Sequence, residues 1–250
     1  MGRWIALLLG ALLLTGASAP PPQPGLLIFT HSTGYRHASI EPGAVAIAAL
    51  ARQRGYAVTT SADPAIFDRV DTLRGFAAIV LVSTTTKPDD PASEWFVGPR
   101  RDAFQAYVRG GGGVVGIHAA ADSHYHWPWY GQMIGGWFDS HPRGTPTARL
   151  HRHDTRHPAT ARLPDSFDRV DEWYYYKDRD PRSTLLLTFD PAGTGGAGVN
   201  PKPIAWAHRF DGGRVFYTGL GHTADGWTDP VMTAHLAGGI DWAAGRAGRR

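Results

Sequence analysis

Along the first half of the chain, apolar positions switch between a strand-like and a helix-like period. The run LLIFT (Leu26 to Thr30) is short, apolar and followed by turn residues, as expected of a buried strand. A helix is predicted from about Ser39 through AVAIAALARQRG. Ser39 is placed to cap it, Pro42 lies in its first turn and Gly55 marks its stop. YAVTTS then predicts a second, more polar strand. FAAIVLVSTT (Phe76 to Thr85) is apolar for most of its length, as a strand covered on both faces must be. RRDAFQAYVRG is a helix closed by glycine, and GVVGIHA is a fourth strand. This alternation predicts an α/β fold, a mostly parallel central sheet flanked by helices.

The second half carries a different pattern. TARLHRHD, EWYYYK, STLLLTFD, PIAWAHRF and GRVFYTGL are strand-like, and several are joined by turns too short for a crossover helix. Antiparallel strands added to the sheet are therefore expected, with PVMTAHLAGGIDWAAG as a closing helix. In EWYYYK the period of two puts Glu172 and Tyr174 on one side and Trp173 and Tyr175 on the other. The stretch PAGTGGAGVNPKP is a surface loop by composition.

Length and composition narrow the picture. At 250 residues and 42% hydrophobic content, one domain with one sizeable core is expected. Residues 1–19 have the form of a signal peptide: a basic start, an apolar run, and an A-x-A pattern at Ala17 to Ala19. Residues 20–25 are a proline-rich spacer, and 26–246 form the domain. The apolar run is shorter than the roughly 20 residues that span a bilayer. A periplasmic or secreted protein with no stable membrane anchor after cleavage is the expectation. There is no cysteine, which excludes disulfides and all thiol chemistry. The net charge of +3 comes from scattered arginines without a concentrated basic face, so nucleic acid is not an expected partner.

The candidate chemistry lies at strand ends. In open α/β sheets ligands sit outside the carboxyl ends of the strands. His31 and His37 follow the first strand, His118 ends the strand after the glycine run, and His222 follows GRVFYTGLG. Asp122, four residues past His118, is placed to orient that ring. Glu172, set among aromatics, is expected to have its pKa raised by desolvation. The aromatics of HWPWY and EWYYY suit the apolar faces and hydroxyl edges of a sugar. The His and carboxylate set would serve a divalent metal such as zinc equally well.

These pieces resemble the ThuA-like family, named for trehalose utilisation, whose fold is similar to the flavodoxin-like class I glutamine amidotransferase domain. The matching segments are GYRH, AFQAYVRGGGGVVGIHAAAD, WPWYGQMIGGWFDSHP, HPAT, DEWYYY, PIAWAHRFDGGRVFYTGLGHT and HLAGGIDWAAG. The segment STTTKPDDPASEWFVGPRR is longer and more polar than its family counterpart, which places the departure at the rim of the pocket. In the amidotransferases the turn occupied here by GIHAA carries a nucleophilic cysteine. With His118 in its place, glutaminase activity is out, and the imidazole serves as acid/base or metal ligand. The glycines before it would let backbone approach a ligand closely.

Together with the signal-like start, the resemblance implies an exported carbohydrate-active protein that binds a disaccharide or keto-sugar. The implied reaction is proton transfer, as in isomerisation or in glycosidic cleavage by a hydrolase or lyase. Catalytic candidates are His118, Asp122, Glu172, His37 and His222. Candidates for sugar contact are His31, Tyr35, Trp127, Trp129, Tyr130, His141 and Tyr174. A non-catalytic sugar-binding module and a periplasmic metal-binding protein are the alternatives.

Overall fold

The computed structural model describes residues 23–246. The expected signal segment and the first half of the spacer lie outside the described residues. The chain runs β1 (Gly25–Phe29), α1 (Ile40–Gln53), β2 (Ala57–Ser61), α2 (Val70–Leu73), β3 (Phe76–Val82), α3 (Pro99–Arg109) and β4 (Gly113–Ile117). It continues through α4 (Pro128–Ile134), β5 (Trp137–Ser140), β6 (Thr147–Arg152), β7 (Ser166–Val170), β8 (Tyr175–Lys177), β9 (Thr184–Phe189), β10 (Lys202–Phe210), β11 (Gly213–Thr218) and α5 (Pro230–Ala243). None of the described helices is long and apolar enough to cross a membrane.

Nine strands form one sheet in the order β2-β1-β3-β4-β11-β10-β9-β6-β7. The pairings from β2 to β11 are parallel, and those from β11 to β7 are antiparallel. Both halves follow the sequence pattern. The central strands are apolar throughout because each feeds two cores. In β1, Leu26 and Ile28 enter the cluster under α1 and α5, whereas Leu27 and Phe29 enter the cluster under α3 and α4. β3 splits in the same way, Ala78, Val80 and Val82 against Ile79 and Leu81.

Three local expectations are corrected. Ser39 does not cap α1: its backbone is already helical and its hydroxyl is buried without a partner. EWYYYK is a strand only over its last three residues, which pair with β5 in a separate two-stranded sheet. The glycine run Gly110 to Gly113 serves packing. Side chains at 112 and 113 would collide with the Tyr107 ring and the Ala243 carbonyl. The run also ends at the start of β4, and four residues at about 3.3 Å each separate it from His118 at the strand end.

Candidate functional site

The site is assembled where β4 and β11 end side by side. After Ile117 the backbone turns sharply. His118 has φ of 47° and opens a short 3-10 turn through Ala121. A left-handed, non-glycine residue costs energy and persists only where its surroundings hold it. Here Tyr217 of β11 donates its hydroxyl hydrogen to the His118 carbonyl (2.7 Å), and the ring Nδ1 donates to the carbonyl of Gly219 (2.8 Å). Residue 219 must be glycine, since a side chain there would collide with the Tyr176 hydroxyl.

With Nδ1 engaged, Nε2 of His118 faces Nδ1 of His222 at 3.2 Å and Oε2 of Glu172 at 3.3 Å. His222 Nδ1 lies 3.1 Å from the same carboxylate oxygen. His37, from the loop between β1 and α1, is buried and sets its ring edge-to-face to His118 (4.9 Å) and His222 (5.3 Å). One ligand atom from each of His37, His118, Glu172 and His222 lies within 4.8 Å of the others. His141 Nδ1 approaches Oε1 of Glu172 at 3.2 Å, and the Tyr174 ring lies 4.3 Å from that of His118. Tyr35 is exposed, with its ring 4.8 Å from His37, and forms the rim.

The pattern in EWYYYK is met: Glu172 and Tyr174 face the histidines, while Trp173 packs against Phe189. The segment is pinned by Asp171, which the sequence pattern did not single out. Its carboxylate is fully buried and pairs with Arg169 Nε at 3.0 Å. It also accepts the backbone N–H groups of Glu172, Gly221 and His222, each at 3.0 Å. One buried ion pair thus holds the loop of Glu172 against the loop of His222. The signal available in the sequence was the pair of adjacent acids in an otherwise aromatic run.

Electrostatics follow from this crowding. Burial works to raise the pKa of Glu172, but the hydrogen bonds and charges of His118 and His222 outweigh it and hold the carboxyl well below the usual range, opposite to expectation. Burial, then the neighbouring His118 and His222, push His37 down to about 3. The hydrogen bond to Glu172 raises His222. Burial pushes Asp122 up to about 6 against the opposing effects of Tyr125 and His118.

Several expected members are placed elsewhere or in other roles. Asp122 does not orient His118; its carboxylate accepts the Tyr125 hydroxyl (2.6 Å), and the Gly219 carbonyl does the orienting. Trp127, Trp129 and Tyr130 pack with the apolar cluster under α3 and α4, where the Tyr130 hydroxyl donates to the Ala120 carbonyl and Trp129 Nε1 to Asp211. His31 lies by Phe29 and Trp95 of that same cluster, outside the histidine group. Trp95 and Phe96, from the long segment after β3, are buried there too, so much of that segment is core rather than rim. A cleft of about 580 Å³ lined by Trp137, Arg179, Asp180 and Arg182 contains none of the cluster, and within it Arg182 pairs with Asp180 at 2.9 Å.

A sequence profile of the ThuA family, described as trehalose utilisation, matches residues 25–243. The fold is similar to a ThuA-like protein from Bacteroides uniformis, at 22% identity and a TM-score of 0.73 over 91% of this chain and 94% of that one. A ThuA-like protein from Parabacteroides merdae matches at 21% identity and a TM-score of 0.72 over 92% of each chain. A β-galactosidase from Rahnella sp. R3, at 10% identity and a TM-score of 0.58, aligns over 88% of this chain and 31% of its own, so there the fold is one part of a larger chain. No curated protein matches the chain. The solved structures establish the fold, an α/β architecture shared with those two ThuA-like proteins. The profile spans nearly all of the described residues, and the chain belongs to the ThuA family, which implies a carbohydrate-related function.

Proposed function

We propose that this chain is an exported protein that acts on an oxidised sugar, a keto-disaccharide or keto-sugar, by moving the proton next to its carbonyl. The observation that carries the reading is the convergence of His37, His118, Glu172 and His222 from four chain segments at the end of the sheet. A carbonyl oxygen placed against such a group is polarised, which acidifies the neighbouring C–H. Asp122, with its pKa near 6, is suited to take and return that proton near neutral pH. Tyr174 offers an aromatic wall beside His118. Whether the proton returns to the other carbon or a glycosidic bond breaks next depends on the sugar. The A-x-A pattern behind an apolar run supports export.

Deuterium wash-in tests this. Ketohexoses and oxidised disaccharides are incubated with the protein in D2O, and exchange next to the carbonyl is followed by NMR. The parent exchanges at least one of them, and His118→Gln and Asp122→Asn lower the rate by about 100-fold or more. A parent that binds a sugar by calorimetry and exchanges none is a binding module, and the catalytic reading falls.

A further inference from the structure

The contacts among His118, His222 and Glu172 cannot all be hydrogen bonds. The Gly219 carbonyl only accepts, so Nδ1 of His118 carries a hydrogen and the neutral ring has a bare Nε2. A carboxylate brings none, and Nδ1 of His222 brings at most one. Three atoms separated by 3.1, 3.2 and 3.3 Å therefore share at most one hydrogen, and at least one edge of the triangle sets lone pair against lone pair. Adding a second proton to the fully buried His118 moves the conflict without removing it, because the edge between the two nitrogens then sets N–H against N–H. A single cation among the three atoms satisfies every edge at once.

The dimensions agree. A tetrahedral ion with bonds near 2.0–2.1 Å holds its ligand atoms about 3.3 Å apart, which is the edge length of this triangle. Beside it, His37 is 4% exposed and its Nδ1 has no hydrogen-bond partner. The surroundings are those that a metal site requires. The second nitrogen of His118 is fixed by a backbone carbonyl, and Asp171 fixes the backbone of both Glu172 and His222, so ring and carboxylate orientations are set beforehand. Three imidazoles and a carboxylate suit a first-row transition ion better than calcium or magnesium.

We propose that Nε2 of His118, Nδ1 of His222 and Oε2 of Glu172, with a ring nitrogen of His37 as the fourth donor, form a binding site for a divalent transition-metal ion, zinc being the probe of choice. The inference rests on the reading that this cluster is the working site and names what polarises the sugar carbonyl there. His222 is the member with most solvent access, its side chain 26% exposed, and the ion meets a sugar from that side.

The test uses the full chain purified without a histidine tag and stripped with a chelator. Zn2+ is titrated by calorimetry, Co2+ by visible absorption, and melting temperature is read with and without Zn2+. One equivalent binds, Co2+ gives the visible bands of a low-coordinate nitrogen and oxygen site, and Zn2+ raises the melting temperature. His118→Gln and Glu172→Gln weaken binding at least 100-fold. His222→Ala, at a half-buried position where folding is least at risk, does the same, and His151→Ala on β6 changes nothing. Equal Zn2+ binding by parent and His222→Ala, or none by either, overturns the proposal. Site-specific binding without sugar exchange leaves the metal site standing and removes the proton-transfer reading; exchange by stripped protein that takes up no Zn2+ does the reverse.

Discussion

His126 to Tyr130 and Glu172 to Tyr176 are five-residue segments of similar make-up, each opening on one imidazole or carboxylate followed mostly by aromatic rings, and the fold uses them in opposite ways. The first enters α4 through Pro128, and the helical turn carries Trp127 and Tyr130 into the closed cluster beneath it. The second is extended, so alternate residues part company: Trp173 goes to the core and Glu172 and Tyr174 to the histidines. A period of two leaves every other side chain free for chemistry, whereas a short buried helix leaves few. The histidines divide similarly. His118 has partners on both ring nitrogens at the sheet end, while His235 of α5 is buried with Nδ1 donating to the Ala159 carbonyl and has no part in the site.

The strongest way to break this comparison is Tyr130→Ala. Fully buried in the closed cluster, it should cost about 3–5 kcal/mol of stability, as large aromatic truncations do, with Zn2+ and sugar affinity of the folded protein unchanged. Denaturant unfolding beside calorimetry checks both; lost affinity in folded variant would return HWPWY to the site.

A smaller effect separates the two kinds of histidine. Burial lowers His235 to about 4. Between its ordinary pKa of 6.5 and that value the unfolded chain binds a proton that the folded chain refuses, so stability is complete above pH 6.5 and falls as the pH drops toward 4. The loss is about 2 kcal/mol by pH 4.5. Replacing His235 by Asn, which keeps a donor for Ala159, should flatten that part of the stability curve and leave Zn2+ affinity alone. Equal acid slopes for parent and variant would assign the loss elsewhere, His157 being next in line because burial lowers it to about 4 as well.

The smallest effect is expected at Tyr174→Leu. Leucine removes the ring beside His118, so sugar affinity should weaken by about 1 kcal/mol while Zn2+ affinity holds. A sugar affinity equal to the parent's would make Tyr174 a core residue like its neighbour Trp173.

The order of elements, the parallel set β1-β3-β4 and the antiparallel second half were legible because hydrophobic period depends on which faces of an element are covered, and that is written locally. The strand ends carrying His37, His118 and His222 were legible for the same reason, as was the facing of Glu172. What could not be read locally was partnership. Asp122 is one helical turn from His118 in sequence, yet a carbonyl 101 residues away orients the ring. Trp127 and Trp129 have the composition of a sugar platform, but Trp127 is buried in the cluster under α3 and α4 and Trp129 packs against its edge. Glu172 was expected to be raised by desolvation, and two imidazoles from distant segments reverse the sign. Period and turn chemistry act over a few residues and decide where a side chain is delivered. Hydrogen-bond partners, burial and charge balance arise between segments about fifty to a hundred residues apart, and only the packed sheet brings those together.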